Sequence, residues 1–412
     1  MDFLIKYKKV FLAIGFVIII VILGYLLYWA FFKPISPPAI SQPPATTTPQ
    51  GLPLAPTGKG QVVGPSQPAG LPAEIGEIKK VTPSEVAQGG LTQTKQLNQL
   101  PTLAATLSAD GSDLQFYNQN DGKFYRLTKD GKTSELSNKI FHQVEKIVWS
   151  PNKEQAILEY PDGSNIVYNF TSQQQITLPS HWKDFAYAAD GSKLVLKSLG
   201  LDPDNRWLAI TNNDGSQAQR LEALGEKDET VYPAWSPNNQ VVAMYTESLD
   251  FDRQEVFFVG LYHENFKSTI IEGRGFQPKW SPTGEQLLYS VYSSKNDLKP
   301  MLWLVNAQGE AIGSGRRSLN IETWADKCAF ASQTELYCAV PEKLEAGAGL
   351  FPEMAKATKD NLYKIDLQTG LKKLIASPAG SYNMSDLIIS QNGYYLYFTD
   401  KNTQTLQQIK LK

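Results

Sequence analysis

A short unit recurs along this chain, and any fold must accommodate it several times over. Ala234-Trp235-Ser236-Pro237-Asn238-Asn239 leads into the apolar run Val241-Val242-Ala243-Met244-Tyr245. Lys279-Trp280-Ser281-Pro282-Thr283-Gly284 leads into Leu287-Leu288-Tyr289, and Val148-Trp149-Ser150-Pro151-Asn152-Lys153 into Ala156-Ile157-Leu158. Four degenerate copies centre on Ser108, Ala189, Ser332 and Ser390, giving anchors 42, 39, 47, 45, 51 and 58 residues apart. A period of about 40–50 residues is that of a four-stranded propeller blade. The excess in the last interval is an insertion at 341–360, partly helical in its Glu342-Lys343-Leu344-Glu345-Ala346 and Glu353-Met354-Ala355-Lys356 stretches.

Within a repeat, a third strand such as Met301-Leu302-Trp303-Leu304-Val305 is followed by a turn and a fourth strand such as Lys372-Lys373-Leu374-Ile375. Asp-Gly, Asn-Asp-Gly and Ser-Pro-Asn punctuate the runs as turn signals. The pattern predicts an all-β, seven-bladed β-propeller over residues 77–412, whose radial repetition leaves only short, protected sheet edges. The aromatic before Ser-Pro and the run after the turn then pack blade against blade. The last repeat has only three strands, so closure needs a fourth from elsewhere, and residues 77–82 (Glu77-Ile78-Lys79-Lys80-Val81-Thr82) resemble the other fourth strands. Residues 89–107 leave room for a further strand, so six or eight blades stay open.

Before the repeats, residues 10–32 form 23 positions without a charge, rich in Ile, Leu, Val and Phe. About 20 apolar residues span a bilayer as a helix, so a transmembrane helix is expected, followed by a Pro-rich disordered stalk at 33–76. Lys6, Lys8 and Lys9 precede the span, which places residues 1–9 in the cytoplasm and the propeller outside the cell membrane, at the surface or in the periplasm. A cleaved signal peptide is the rival, but Tyr28-Trp29-Ala30-Phe31-Phe32-Lys33 offers no small-residue cleavage site. Residues 34–72 hold eleven of the chain's 25 prolines and one charge, Lys59. Proline fixes φ and removes a donor, so such a stretch builds neither helix nor ladder.

The Trp-Ser-Pro-x-Gly pattern with its following apolar run resembles the TolB-type (PD40, WD40-like) propeller repeat over residues 77–412. Where that family places Asp after Ser-Pro, this chain has Asn152, Asn238 and Thr283; Asp stands at Asp110 and Asp190, where the Pro is gone. The resemblance implies an extracytoplasmic propeller used for protein contacts, and no catalysis. A membrane anchor with a stalk departs from the soluble family, so no particular partner is implied.

Chemical motifs are sparse. The net charge of −2 excludes a basic field for nucleic acid. His142, His181 and His263 fall in different repeats, and no His-Glu-x-x-His or Gly-x-Ser-x-Gly motif occurs. Asp202-Pro203-Asp204-Asn205 lacks the glycine turn and twelfth-position Glu of a calcium loop. No catalytic residue, metal site or cofactor is expected. Cys328 and Cys338 flank a turn in the sixth repeat, within reach of a cross-strand disulfide, which an extracytoplasmic site favours; two buried free thiols are the alternative.

Binding is expected on the face built from fourth-to-first and second-to-third strand loops. Trp182, Arg274, Phe276, Arg316, Arg317 and Tyr382 combine the aromatic and arginine types enriched at binding hot spots. The sequence thus reads as a non-enzymatic, membrane-tethered module contacting a protein partner or an envelope glycan. The alternative is a glycan lyase or hydrolase at the central channel mouth. It requires converging carboxylates or a metal, and the first-strand segments, dominated by apolar packing residues, offer none in register.

Overall fold

The structure, a computed structural model, describes residues 82–412 together with Phe16, residues 18–26 and Tyr28. The expectations for residues 1–9, for the stalk and for residues 77–81 lie outside the described residues, as does over half of the 10–32 segment. The described N-terminal positions are helical. Among the described residues, no helix is long and apolar enough to cross a membrane.

Seven sheets make up the rest, one per repeat. Blades 1 to 5 cover residues 102–135, 146–178, 182–223, 231–272 and 274–318. Each is an antiparallel meander; in blade 5, Arg274–Trp280, Gln286–Tyr292, Pro300–Asn306 and Arg317–Ser318 pair in order. Blade 6 runs through Cys328–Phe330, Glu335–Pro341, Asp360–Asp366 and Lys372–Pro378, and blade 7 through Met384–Ile389, Tyr395–Asp400 and Leu406–Lys410. First strands contact one another between blades 1 and 2, 3 and 4, 6 and 7, and 7 and 1, so the sheets close into a ring with first strands innermost.

The repeat motif has a definite hydrogen-bonding role. The backbone N–H of Ser108, Ser150, Ala188, Ser236, Ser281 and Ser390 each donates to the carbonyl five residues on, closing the turn between first and second strands. In the five serine copies the buried hydroxyl oxygen accepts from that same fifth residue's N–H, at 3.0 Å for Asp113, 3.2 Å for Gln155, 2.9 Å for Val241, 3.1 Å for Gln286 and 2.9 Å for Tyr395. Four of the hydroxyls also donate to an Asp or Asn two positions later (Asp110, Asn152, Asn238 and Asn392). The turn's fourth residue is left-handed, with φ of 74° at Gly284 and 68° at Gly393. Glycine takes that conformation without steric cost, whereas Lys153 and Asn239 adopt it at φ 59° with a side chain present. Ala188, not Ala189, occupies the anchor position of blade 3, and blade 6 uses Ala331 in a turn one residue shorter. The preceding tryptophans join blades: Trp149 and Trp280 donate their indole N–H to the carbonyls of Ala104, on the first strand of the blade before, and of Ala234, just past that of blade 4.

Cores lie between blades. Val241, Met244, Val256 and Phe258 of blade 4 pack against Phe276, Leu287, Tyr289 and Val305 of blade 5, and equivalent clusters join blades 6 to 7 and 7 to 1. Burying such apolar area is the main favourable term in folding.

The ring is clasped by an N-terminal segment, and the fourth-strand position expected for residues 77–82 is filled by a later stretch. Lys95–Gln96 pairs antiparallel with Leu406–Lys410 and supplies blade 7's fourth strand. Gly90–Thr92 pairs parallel with Lys372–Pro378 as a fifth strand of blade 6, and Val86 bridges to Lys410. The strands within 89–107 therefore serve closure and blade 1, and the ring keeps seven blades. The insertion in blade 6 also differs from expectation. It holds one short 3-10 turn, Pro352–Ala355, among irregular turns pinned by the buried cluster of Trp324, Leu344, Ala348 and Ala355.

Candidate functional site

In an antiparallel meander the first-to-second and third-to-fourth turns share one end, and the remaining connections share the other. The second end therefore carries loops 199–205, 249–252 and 342–359, together with the crossovers between blades. Only part of the expected contact set lies there as accessible side chains. Arg274 does: it is half-buried, its Nη1 donating to the Asp250 carbonyl at 3.2 Å. Trp182 and Phe276 are buried packing residues, in the blade 2–3 and blade 4–5 cores respectively. Tyr382 is half-buried, packs edge-on against Phe398 at 5.6 Å and accepts at its hydroxyl from Thr94 Oγ1 at 2.8 Å. Arg316 and Arg317 belong to the third-to-fourth connection of blade 5, on the opposite end. Arg317 donates there to the Leu367 carbonyl. Strand alternation turned the aromatics Trp182 and Phe276 inward.

The loop tips carry exposed apolar side chains instead. Leu201, Leu249, Phe251, Leu350, Phe351 and Met354 come from the second-to-third loops of blades 3, 4 and 6, and Leu201 is 102% exposed. Their signal in the sequence is an apolar residue flanked by turn formers, as in Gly200-Leu201-Asp202-Pro203 and Asp250-Phe251-Asp252.

Charged groups gather beside the inner strands, although of the carboxylates between blades 2 and 3 only Asp184 stands on a first strand. Between blades 2 and 3, Lys146 lies 3.4 Å from Glu159 and 3.2 Å from Asp184, while Lys197 lies 2.9 Å from Asp184. Asp184 sits at a bulge with φ 54°, which turns its carboxylate towards both lysines. Bulges re-aim side chains in this way, and the strand's period-2 pattern gives no warning of it. The four charges compensate one another.

A second group lies under the insertion. The short turn Ala325–Lys327 packs against the first strands of blades 5 and 7. Its Lys327 Nζ is 2.6 Å from Asp360 Oδ2 and donates to Asn383 Oδ1 at 2.9 Å. Asp360 is fully buried; its Oδ2 also accepts from the Met384 N–H at 2.6 Å, and its Oδ1 has no partner. Burial pushes the Asp360 carboxyl up and the Lys327 ammonium down, each opposed by the charge of the other. Nearby, Lys279 donates to the Cys328 carbonyl, its ammonium lowered by burial against the opposing charges of Asp326 and Asp386. Lys327, Gln277, Trp324, Lys356, Asn383 and Lys401 line a cavity of about 410 Å³ above this network. An ammonium so placed has three N–H donors, two of them committed, and can present the third to a ligand oxygen.

Cys328 and Cys338 are directly opposite in register, with Cα atoms 4.1 Å apart, and form a disulfide. Among the described residues no group of three or more metal-ligating side chains converges.

No protein-family model matches the chain, and no curated protein matches it. Solved propellers do. An oligogalacturonate lyase in complex with manganese superposes with a TM-score of 0.51 at 12% identity, over 77% of this chain and 93% of its own. The oligogalacturonate lyase of Vibrio parahaemolyticus gives 0.50 at 11% identity, over the same shares. At such identities the likeness is one of fold: this chain is built as a seven-bladed β-propeller.

Proposed function

We propose that this protein is a membrane-tethered, TolB-like propeller that works outside the cytoplasm as a binding module, holding a protein partner on its second-to-third loop face. The observation that carries this reading is the set of exposed apolar tips, Leu201, Leu249, Phe251, Leu350, Phe351 and Met354, all on one end of the ring. Solvent-exposed apolar groups gathered on one surface mark interaction sites, and a ring places them on a rigid frame. The uncharged segment at 10–32 supports the tether. The disulfide supports an oxidising compartment.

The test is crosslinking from intact cells, with the wild type beside Leu201→Ser, Phe251→Ser and Phe351→Ser. Capture of one defined protein, lost in the variants, supports the reading. Capture that survives all three removes this face from consideration. Protease accessibility of the propeller in intact cells checks its side of the membrane.

A second reading is an enzyme acting on a glycan at the channel mouth. The buried Lys327 beneath an open cavity favours it, since perturbed lysines in clefts are candidates for catalysis. Turnover of an oligosaccharide that disappears in Lys327→Met, with folding intact, would establish it.

A further inference from the structure

A groove on the flank of the ring stands apart from both surfaces described above. Between blades 3 and 4 lies a cleft of about 430 Å³, and none of its lining residues belongs to the loop tips or to the cavity above Lys327. Its volume is that of a ligand-binding cleft. One wall is the outer strand of blade 3, Gln219–Ala223, which brings Glu222. The other follows from strand register in blade 4: Tyr245 stands opposite Phe257, and Glu247 opposite Glu255. A side-chain period of two places all four on one face of the sheet. The connection at 261–268 adds Asn265 and Phe266 to the lining.

Three features point to a ligand. First, the rings of Tyr245 and Phe257 stack in parallel, with centroids 4.6 Å apart, and both residues are only half-buried, so the groove has an accessible aromatic wall. Second, its donors are unspent. No hydrogen bond among the described residues includes the Tyr245 hydroxyl or the Asn265 side-chain amide. The Tyr245 oxygen is not sealed from solvent, and burial, with the Glu247 carboxylate adding to it, pushes the hydroxyl up, so it stays protonated and able to donate. Third, the groove holds excess negative charge. Glu247 directly opposite Glu255 is an arrangement that destabilises a sheet, and Glu222 brings a third carboxylate beside the same hydroxyl. Lys227 meets Glu247 only at Oε1, at 2.6 Å, and both side chains are exposed, so the pair contributes little and leaves Oε2 open.

Together these features define a ligand class. An aromatic wall packs against pyrrolidine rings, and a polyproline II segment has no internal hydrogen bonds, so its carbonyls are free to accept from the hydroxyl and the amide. Such segments dock in aromatic-lined grooves because their extended form exists before binding and little ordering is left to do. Three carboxylates repel an acidic peptide or a phosphate and favour a cation on the ligand. We propose that the groove between blades 3 and 4 binds a proline-rich peptide segment that carries a lysine or arginine at one end. Its prolines lie on Tyr245 and Phe257, its carbonyls on the Tyr245 hydroxyl and the Asn265 amide, and its cation on Glu247 and Glu255. The site works independently of the loop tips, so a partner held at those tips is a separate event.

The experiment is calorimetric titration of the full-length chain with the synthetic peptide acetyl-Ala-Pro-Pro-Leu-Pro-Pro-Lys-amide. Two controls accompany it, one with every proline replaced by alanine and one with the lysine replaced by norleucine. The proline peptide should bind saturably and at least about tenfold more tightly than the alanine peptide, which must be ordered on binding. It should exceed the norleucine peptide by about fivefold or more, through its charge-assisted contacts. Glu247→Gln with Glu255→Gln should erase that second preference and keep the first. Tyr245→Phe, which retains the ring and lacks the hydroxyl, should weaken the proline peptide severalfold. Both variants should keep the wild-type melting temperature. Absence of saturable binding, an alanine peptide that binds as tightly, or a lysine preference unchanged in the double variant would each overturn the proposal.

Discussion

The two ends of the ring solve the same connection problem in opposite ways. At the first-to-second turns of five blades a buried serine hydroxyl, joined in four of them by a local Asp or Asn, satisfies the backbone within six residues. At the other end the loops differ in length and composition, expose Leu201, Phe251 and Phe351, and bury a full ion pair under the insertion. The first end is built for closure of each hairpin. The second holds polar and apolar groups that the hairpins do not need. Regular chemistry thus marks what the fold requires, and irregular chemistry marks what it can spare for binding.

The contrast can be broken most severely at Asp360. Asp360→Ala leaves the Lys327 ammonium buried without its partner, and losing one member of a buried pair costs about 3–5 kcal/mol. Urea denaturation should show that loss, while Lys327→Met combined with Asp360→Leu should recover most of it. Removing the disulfide with Cys328→Ala and Cys338→Ala together should cost about 2–3 kcal/mol, read from the same denaturation curves with the reduced wild type as a second arm. On the regular end, Ser236→Ala strips the acceptor from the Val241 and Gln240 N–H groups. It should cost about 1–3 kcal/mol, and an equal loss in Ser281→Ala would confirm that the turns are equivalent. The smallest stability effect belongs to the loop tips: Phe351→Ser should shift unfolding by less than about 0.5 kcal/mol while abolishing partner capture. If it instead unfolds the insertion, the tip is a packing residue and the difference between the ends is smaller than it looks.

Legibility in the sequence follows the same division. Trp-Ser-Pro-x-Gly announces its turn because each residue answers a local demand: the hydroxyl for the fifth N–H, glycine for a left-handed φ, indole for the previous blade. One blade per repeat and the opposition of Cys328 and Cys338 could therefore be read from spacing, although spacing left six or eight blades and two free thiols open as alternatives. What could not be read depends on register or on distant partners. Trp182 and Phe276 look like contact residues until alternation turns them inward. Asp184 gains its two lysines only through a bulge. Lys327 meets Asp360 and Asn383 from strands far along the chain. The clasp was expected in kind and mislocated in residue, because two paired positions, Lys95 and Gln96, carry too little pattern to stand out from their surroundings.

That clasp has a consequence for how the protein is made. Asn98 accepts a hydrogen bond from the Leu406 N–H, so the seam joins positions 308 residues apart. During synthesis the early segment emerges long before its counterpart exists, and contacts of such separation form slowly. A chain interrupted before Leu406 has six nearly complete blades, an open ring and unpaired strand edges, which template aggregation. Closure therefore acts as a check on completeness: only a chain translated through Leu406–Lys410 can lock the seam.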